Sequence, residues 1–414
     1  MSDRLEPPKR YDRDNYSAQK NEPEKESGNI VRTRNLTRLK KSDVLTLGGM
    51  DIPFFAIVMA LLTIGLIMLF SASYPYALQK RQDSYYYFER QLVFVIMGIV
   101  VMLVVSKMNY RLLRRIVIPL FGVTVLLLII VLFYHTNVKD FKRWIPIVKG
   151  VTIQPSDIAK FTIVLVLADY ISKNYKRMKK PYEGIVKPLV IIALFCGLIF
   201  LEHHNSGVVL VFSIGAVMMF CGGSNWKLFA LGAGLVAAVA VFVVMNPNVM
   251  MHYAGERIEA WLDKDYDPLG ARWQTNNSLY AIGSGNVFGA GLGNSKQKFL
   301  YVSEPQNDFI FSIVCEELGF VGAAFIICLF AFLFIRGLII AMRTRDRFAA
   351  LVVIGIVSQV AIQTILNILV VTDTIPNTGI ALPFFSYGGT SILMLLFEMG
   401  VVLSVSRTTN QRKV

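Results

Sequence analysis

The sequence predicts an all-α polytopic membrane protein, with about ten transmembrane helices and a long extracellular loop between the seventh and the eighth. Hydrophobic residues make up 54% of the 414 positions, a share too large for a soluble protein of this length. They are gathered in runs close to the roughly 20 residues that a helix needs to cross a bilayer core. Helices of this length satisfy their own backbone hydrogen bonds, as lipid requires.

The apolar runs give the predicted spans in chain order. They lie at about 52–72, 91–106, 113–134, 156–172, 187–202, 207–222, 227–246, 309–341, 349–371 and 387–406. Together they define a transmembrane domain at 51–406, in which all connections but one are short or moderate. The exception is the long outer loop, about 247–307, and loops of this size in a compact protein are usually functional or disordered.

The N-terminal arm, residues 1–50, is charged and contains few aliphatic residues, a composition typical of disorder. It lacks an apolar segment behind a basic start, so it is not a signal peptide. Most of the 42 Lys and Arg residues fall in this arm, in the C-terminal tail 407–414 and in the loops on the same side. The positive-inside rule therefore predicts that both termini are cytoplasmic. The net charge of +14 reflects topology and not nucleic-acid binding.

The first outer charges of interest follow the third predicted span. Arg143 lies in the loop, and Asp157 and Lys160 lie three residues apart at the start of the fourth span. Residues at this spacing share a helix face and can pair. Two interpretations stay open: a structural ion pair at a helix start, or a cationic Lys160 held toward an anionic lipid headgroup.

Glu202, His203 and His204 separate the fifth and sixth predicted spans. Adjacent histidines point to different helix faces, so the triplet is a poor metal-binding motif. We expect these polar side chains to cap the two helix ends.

The long outer loop holds two patterned segments. In the first, Ile258, Trp261 and Leu262 fall at helical spacing, which indicates an amphipathic helix. Such a helix can lie in the headgroup region with its Trp at the interface. The second segment, 283–293, carries five glycines but matches no nucleotide-binding motif. We expect close backbone packing or a lipid-headgroup site there.

Three acids accompany the eighth predicted span. Asp308 falls at its first turn, where a helix N-terminus favours a carboxylate, and N-capping is the simplest interpretation. Glu316 lies about 12 Å deeper at 1.5 Å per residue, and Glu317 points away from Asp308. Ionisable residues inside spans are costly and usually mark a site. Only Asp308 lies at the water–membrane boundary, so it is the candidate general base, whereas Glu316 and Glu317 are expected to make polar contacts between helices.

The segment "IPNTGIALPFFSYGGTS" precedes the last predicted span and is rich in Pro and Gly. These residues break helices, so the segment predicts a tight entry into the helix around Gly388 and Gly389. The alternative is that Ser386 and Thr390 line a substrate cavity.

Four motifs in this order, "RWIPI…IQPSDIAKF", "SLYAIGSGNVFGAGLGNSKQK", "PQNDFIFSIVCEELGFVG" and "NTGIALPFFSYGGTS", resemble the SEDS family (shape, elongation, division and sporulation). The likeness covers roughly residues 51–407. The family fold, as the resemblance implies it, has ten transmembrane helices and a large extracellular loop between the seventh and the eighth. The glycine segment and the polar arm are closer to the division members than to the elongation members.

The resemblance implies a peptidoglycan glycosyltransferase of the cell membrane that polymerises lipid II, a disaccharide-pentapeptide on undecaprenyl pyrophosphate, at the division septum. It implies as partners a class B penicillin-binding protein, which cross-links the strands, and other division proteins. Asp308 matches the family's essential aspartate. Asp157 and Lys160 match an acid and a lysine of a shared motif, with Asp in place of the more usual Glu. His204 stands where many relatives carry an aspartate, and its role is left open.

Polymerisation of lipid II needs a base to take the proton of the acceptor's 4-hydroxyl and cations to hold the leaving pyrophosphate. The candidate base is Asp308, and the candidate headgroup-binding residues are Arg143, Asp157, Lys160, Lys296 and Lys298. A divalent cation, Mg²⁺ or Mn²⁺, on the pyrophosphate is compatible with this chemistry, but no ligand cluster in the sequence marks a metal site.

Two other functions remain as alternatives. A lipid II flippase also needs outer and midplane charges and a broken helix, but polar groups should line its whole path, and the deep charges here are sparse. A scaffold that only recruits a transpeptidase would leave Asp308 dispensable.

Overall fold

Helices dominate the computed structural model, which describes residues 48–133, 143–148, 151–232, 234, 252–270 and 272–410. The predicted arm up to residue 47, most of the predicted seventh span and the last four residues lie outside these ranges. The elements in chain order are α1 (Ile52–Arg81), α2 (Tyr86–Lys107), α3 (Arg111–Phe133), β1 (Ile145–Val148), β2 (Val151–Ile153), α4 (Pro155–Asn174), α5 (Lys187–Leu201), α6 (Asn205–Cys221), α7 (His252–Leu262), α8 (Trp273–Ser284), α9 (Ile310–Arg343), α10 (Arg347–Val371) and α11 (Gly389–Asn410).

Within the described ranges, seven helices are long and apolar enough to cross a membrane, judged by length and composition. They are α1, α2, α3, α5 with the π-helical turn before it, α9, α10 and α11. The predicted fourth span forms α4, which four charged residues make less apolar, and the predicted sixth forms the 17-residue α6. The prediction of a polytopic helical protein is confirmed. The count of ten stays a prediction, because the seventh span lies mostly outside the described residues.

The start of α1 shows how the sequence sets a helix boundary and joins two spans. Asp51 occupies the N-cap, where its carboxylate accepts a hydrogen bond from the N–H of Phe54 (3.0 Å). Pro53 suits the first turn because an N–H there would have no partner. The same carboxylate pairs with Arg336 of α9 at 2.8 Å. One side chain therefore both begins a helix and ties it to another.

The helices pack closely around α4 and α10. α4 contacts α3, α6 and α10, while α2 packs along α11 and α9 packs against α1 and α10. Gly355 of α10 faces Val164 of α4 so closely that an added Cβ would lie 2.5 Å from Val164 Cγ1. Small residues allow such close approach between helices in membranes. The interface between α4 and α10 therefore has no room for a larger residue at this position.

A break near the outer end of α9 receives the glycine segment. Gly319 has φ 66° and ψ −170°, a conformation that glycine tolerates and other residues do not. The N–H groups of Phe320 and Val321, which the break frees, donate to the carbonyls of Asn286 and Val287 at 3.0 and 3.1 Å. The prediction that the glycine segment packs its backbone closely is confirmed.

The amphipathic segment of the outer loop forms α7, with Ile258 buried. The placement of Trp261 among lipid headgroups stays a prediction, and the structure shows which protein groups the indole binds. Its Nε1 donates to the carbonyl of Asp373 (3.0 Å), and Arg257 donates to the carbonyl of Asn377 (2.9 Å). α7 docks on the chain after α10, because the indole and guanidinium groups find backbone acceptors there.

Candidate active site

A cavity of about 470 Å³ brings separate motifs of the sequence together. Its wall is built by the chain before β1, the first turns of α4 and α6, and the segments that lead into α9 and α11. The polar side chains that line it include Arg143, Gln154, Ser156, Asp157, Lys160, His204, Glu304, Asn307, Asp308, Gln363, Thr390 and Ser391. This volume is typical of ligand sites. Five of the eight predicted site residues therefore face one cavity.

Asp308 lies just before α9 and not in its first turn. The helix begins at Ile310 with Phe309 at the N-cap, so the N-capping interpretation of Asp308 is wrong. The backbone carbonyl of Asp308 accepts a hydrogen bond from Asn367 Nδ2 (2.7 Å), which also donates to the carbonyl of Ile380 (2.6 Å). The fully buried Asn367 therefore holds together the two chain segments that meet at Asp308.

The carboxylate of Asp308 sits close to the backbone without a donor from the described residues. Gly379 has φ +70°, and an added Cβ there would lie 3.1 Å from Asp308 Oδ2. Burial raises the pKa of Asp308 to about 6; Arg257 and Arg143 oppose the rise and Glu304 adds to it. This carboxyl is ionised at neutral pH and is a stronger base than an ordinary aspartate.

Asp157 and Lys160 form the ion pair that their spacing predicts, with 2.8 Å between Asp157 Oδ1 and Lys160 Nζ. Pro155 begins α4, because its missing N–H suits a first turn. Ser391, in the first turn of α11, donates its hydroxyl to Asp157 Oδ2. The pair therefore also joins α4 to α11. Binding of an anionic headgroup by Lys160 stays a prediction.

His204 does not cap a helix as expected. It occupies the N-cap of α6 without a side-chain capping hydrogen bond, because its Nδ1 faces the hydroxyl of Ser156 at 3.1 Å. Burial lowers the pKa of His204 to about 3, and the nearby cations Arg143 and Lys160 lower it further than Asp157 raises it. The ring is therefore neutral and adds no charge to the cavity.

Glu202 is fully buried, and no described residue donates a hydrogen bond to its carboxylate. Burial raises the pKa of Glu202 to about 8, although Arg143 acts in the opposite direction. Arg143 donates to the carbonyl of His203, which anchors it to the turn between α5 and α6. The capping role expected for Glu202 is wrong, because its carboxyl lies in the interior away from the helix-end amides.

Lys298 and Lys296 do not line the cavity. The buried ion pair of Lys298 contradicts its assignment to the headgroup-binding residues, whereas the assignment of Lys296 stays a prediction. Lys298 Nζ lies 2.8 Å from Glu317 Oε1 and 3.2 Å from Ser71 Oγ, and both charged side chains are 0% exposed. A desolvated ammonium needs a close carboxylate, and Glu317 supplies it. Lys296 is exposed and lies outside the cavity lining.

Glu316 holds the loop that carries these lysines. Its carboxylate accepts hydrogen bonds from the N–H of Lys296 (2.8 Å) and from the hydroxyl of Ser295. The contact expected between helices is confirmed for Glu317, which accepts a hydrogen bond from Ser71 of α1 at 2.7 Å, whereas Glu316 binds the loop. We call the following residues the loop latch: Ser71, Ser295, Lys298, Glu316 and Glu317.

Ser386 and Thr390, the two residues of the last motif that were predicted to line a cavity, differ in position. Thr390 lines the main cavity, whereas Ser386 lines a smaller neighbouring cavity. Ser386 Oγ donates to the carbonyl of Asn307 and accepts from the N–H of Leu382, both at 2.7 Å, because this non-helical segment leaves backbone groups to satisfy. The predicted helix entry is confirmed, since α11 begins at Gly389.

Three of the polar residues that sequence reasoning missed near the site lie on spans. Gln363 lines the main cavity, and Gln359 and Glu398 line a smaller one that also touches Asp157 and Lys160. Each of the three lies inside an apolar run, where a polar side chain is costly and tends to mark a site. That cost is the signal by which they could have been found.

Comparison with known proteins places this chain in a family. The chain matches the FtsW/RodA/SpoVE family, described as cell cycle proteins, over residues 52–411. The "Probable peptidoglycan glycosyltransferase FtsW" of Trichlorobacter lovleyi is 36% identical over 359 residues, which cover 86% of this chain and 93% of that protein. "Stage V sporulation protein E" of Bacillus subtilis is 38% identical over 361 residues, which cover 86% and 97%.

Solved structures share the fold. A chain from work on "structural coordination of polymerization and crosslinking by a peptidoglycan synthase complex" is 25% identical, with a TM-score of 0.73 over 88% of this chain and 99% of that one. RodA of Thermus thermophilus is 24% identical, with a TM-score of 0.63 over 87% and 97%. The multi-pass helical membrane fold and the resemblance carried by the four motifs are both confirmed. The chain belongs to the FtsW/RodA/SpoVE family of cell cycle proteins.

Proposed function

We propose that this chain is a peptidoglycan glycosyltransferase that polymerises lipid II into β-1,4-linked glycan strands on the outer face of the cell membrane, with Asp308 as general base. The observation that carries the proposal is a single cavity lined by Asp308 and by the cations Arg143 and Lys160. Transfer from a pyrophosphate donor requires a base and positive charge. The name of the Trichlorobacter relative supports the same reaction.

In the proposed reaction, Asp308 takes the proton from the 4-hydroxyl of the acceptor sugar. The hydroxyl oxygen attacks the anomeric carbon of the donor, and the bond from that carbon to pyrophosphate breaks with its electrons on the leaving group. Pyrophosphate leaves as an anion, so no acid is needed to protonate it. Attack opposite the leaving group inverts the anomeric carbon, which gives the β linkage.

Arg143 and Lys160 supply positive charge for the leaving pyrophosphate. Both line the cavity, where partial exclusion of water strengthens their attraction for an anion. Lys160 is paired with Asp157, so an incoming pyrophosphate competes with that carboxylate for the ammonium group. Asp157 therefore holds Lys160 in place until the substrate arrives.

A divalent cation, Mg²⁺ or Mn²⁺, on the pyrophosphate is compatible with this chemistry, but the chain offers it few ligands. No three His, Cys, Asp or Glu side chains in the described part of the chain are grouped to hold a metal ion. Asp157 is already bound by Lys160 and Ser391. The described lining of the cavity therefore does not fit a resident metal centre.

Location and partners belong to the same proposal. The distribution of Lys and Arg supports cytoplasmic positions for both termini, and the name of the FtsW relative supports action at the division septum with other division proteins. The likeness to a chain of a peptidoglycan synthase complex supports a class B penicillin-binding protein as the partner that cross-links the strands. The 38% identity to a stage V sporulation protein makes sporulation the alternative setting for the same reaction.

A lipid II flippase is the second candidate, and one observation favours it. A cavity of about 60 Å³ runs past Asp157 and Lys160 to Gln359 and Glu398. Polar groups therefore continue deeper into the membrane domain than the sequence suggested, as a transport path requires. Polymerisation at Asp308 has no need of Glu398, and this difference separates the two functions.

The deciding experiment supplies purified lipid II to the purified chain in detergent, together with its class B penicillin-binding protein. Glycan strands from the wild type support the proposal. Absence of strands, with lipid II transport in vesicles that Glu398→Gln abolishes, would make the flippase the better description. Strand formation by Glu398→Gln at the wild-type rate would show that the deeper polar groups are not needed for polymerisation.

The rate of strand formation should fall as the pH drops through about 6. Asp308 must be ionised to accept a proton, and burial raises its pKa to about 6, so the protonated form predominates at lower pH. An ordinary aspartate, with a pKa near 3.9, would still be ionised at about pH 5. The pH dependence of kcat/KM reports the pKa of the free enzyme's base. An acidic limb near the pKa of an ordinary aspartate would contradict the assignment.

A further inference from the structure

A second cavity on the outer loop takes no part in the proposed chemistry. It has a volume of about 320 Å³ and is enclosed by α7, the start of α8 and the chain after α10. This is the size of a ligand site. The lining includes Arg257, Trp261, Tyr266, Arg272, Gln274 and Asn377.

Buried contacts build this cavity. Arg272 is 3% exposed, pairs with Asp373 at 2.7 Å and donates to the carbonyl of Ala260. Trp261 donates to the backbone carbonyl of Asp373 at 3.0 Å. Arg272 Nε is buried without a hydrogen-bond partner in the described ranges. The cavity is therefore held open by fixed side chains and keeps a buried donor unused, which is costly unless a ligand or water satisfies it.

A short stretch of chain separates this cavity from Asp308. Arg257 lines the second cavity and donates to the carbonyl of Asn377, and its charge lowers the pKa of Asp308. Asn377 Oδ1 accepts a hydrogen bond from the N–H of Gly379 (3.2 Å), and Gly379 borders the Asp308 carboxylate. The two cavities therefore both border residues 377–379.

The lining suits an uncharged polar ligand. The lining carries three carboxylates and two guanidinium groups, so it has no excess positive charge that would bind a pyrophosphate. The carboxylates are those of Glu256, Asp267 and Asp373, and the guanidinium groups are those of Arg257 and Arg272. A polyprenyl chain would place an apolar surface against these charged groups and exclude water from them, which is costly. A sugar with an N-acetyl group offers donors and acceptors around its rim for amides, carboxylates and guanidinium groups. Its C–H faces pack against the apolar faces of rings such as those of Trp261 and Tyr266.

We propose that this second cavity is a saccharide subsite, which holds a sugar of the glycan strand remote from the bond being formed. The proposal rests on the proposed function, since it takes the strand as the ligand. A strand held at two places stays bound when one contact is released, because rebinding is then intramolecular. The subsite therefore sets how many disaccharides are added before a strand leaves.

Tyr266→Ala tests this role, because it removes a ring from the second cavity and touches no residue of the Asp308 cavity. We expect strands about fivefold shorter, the order of effect of losing one aromatic anchor. Tyr266→Phe keeps the ring and should keep the strand length. Leu269→Ala, at an 81% exposed position of the same loop, is the matched control and should leave strand length unchanged.

A binding measurement separates this proposal from the proposed function. The probe is the β-1,4-linked N-acetylglucosamine tetramer, titrated into purified full-length chain by calorimetry. We expect the wild type to bind it and Tyr266→Ala to bind it about fivefold or more weakly. If the wild type binds the tetramer in this Tyr266-dependent way but makes no polymer, the glycosyltransferase proposal fails and the saccharide site stands.

Four results would overturn the subsite. The wild type could fail to bind the tetramer, the tetramer could bind Tyr266→Ala as tightly as wild type, or a folded Tyr266→Ala could make strands of wild-type length. Binding of the free pentapeptide stem in place of the tetramer would assign the cavity to peptide and would also overturn it. If Tyr266→Ala does not fold, the tetramer titration of the wild type and of Gln274→Ala, which alters another lining residue, decides the matter.

Discussion

Asp308→Asn should lower the rate of glycan-strand formation about 10²–10⁴-fold, the usual contribution of a positioned general base. Asn has nearly the same shape as Asp, but its amide cannot take the proton of the acceptor hydroxyl. No donor from the described residues binds the Asp308 carboxylate, so the amide leaves none unsatisfied. Initial rates from purified lipid II, with the partner transpeptidase present, measure the effect.

The same substitution should leave thermal stability at neutral pH equal to wild type or higher. The pKa of Asp308 in the fold is about 6, above its ordinary 3.8, so its stabilising contribution is present below the ordinary pKa and is lost as pH rises through about 6. At neutral pH the fold holds an ionised carboxylate at a cost, and Asn removes the charge. A stable but inactive variant therefore places the chemistry at Asp308, whereas a folded variant with the wild-type rate removes it.

Glu304→Gln is the matched comparison, because Glu304 lines the same cavity four residues earlier. Glu304 raises the pKa of Asp308, so its neutralisation should move the acidic limb of the pH–rate profile to lower pH. The rate above that limb should stay close to wild type. A loss as large as that of Asp308→Asn would mean that the base had been assigned to the wrong carboxylate.

Much of the fold can be predicted from the sequence, because the bilayer requires every membrane-spanning segment to be a long apolar helix. The predicted runs at 309–341 and 349–371 became α9 and α10 almost to the residue. α1 extends to Arg81, nine residues beyond its predicted end. Its outer turns leave the apolar run but keep helical hydrogen bonding, and composition alone does not reveal this.

Site residues could be predicted from the sequence where a charged residue lies at an energetically costly position in or beside an apolar run. They could not be predicted where the partner of the charged residue lies far away in the sequence. Asp308 and Lys160 stand out at the membrane boundary, and both reach the cavity. Lys298 lies in a polar loop and looks exposed, yet it meets Glu317 from 19 residues away. The second cavity exists only because α7 docks on residues 373–377, a contact that no local pattern encodes.

Lys298→Met should lower the free energy of unfolding by about 3–5 kcal/mol, the cost of leaving one member of a buried ion pair without its partner. Glu317 is 0% exposed beside it, so water cannot replace the ammonium group. Thermal unfolding of the purified protein in detergent measures the loss. Lys296→Met, two residues earlier at an exposed position, should change stability by no more than about 0.5 kcal/mol.

The double variant Lys298→Met with Glu317→Leu tests whether the buried ion pair only stabilises the fold or also positions the general base. Replacing both members of a buried pair by apolar residues is often neutral, so the double variant should recover most of the stability that Lys298→Met loses. Glu317 lies within two turns of the start of α9, and its contacts to Ser71 and Lys298 fix the end of the helix that follows Asp308. If those contacts position the base, the double variant is stable but forms strands slowly. If it is stable and as fast as wild type, the loop latch acts on stability alone.

Wild-type stability of Lys298→Met would contradict the buried pair itself, because an uncompensated carboxylate in that interior cannot be free of cost.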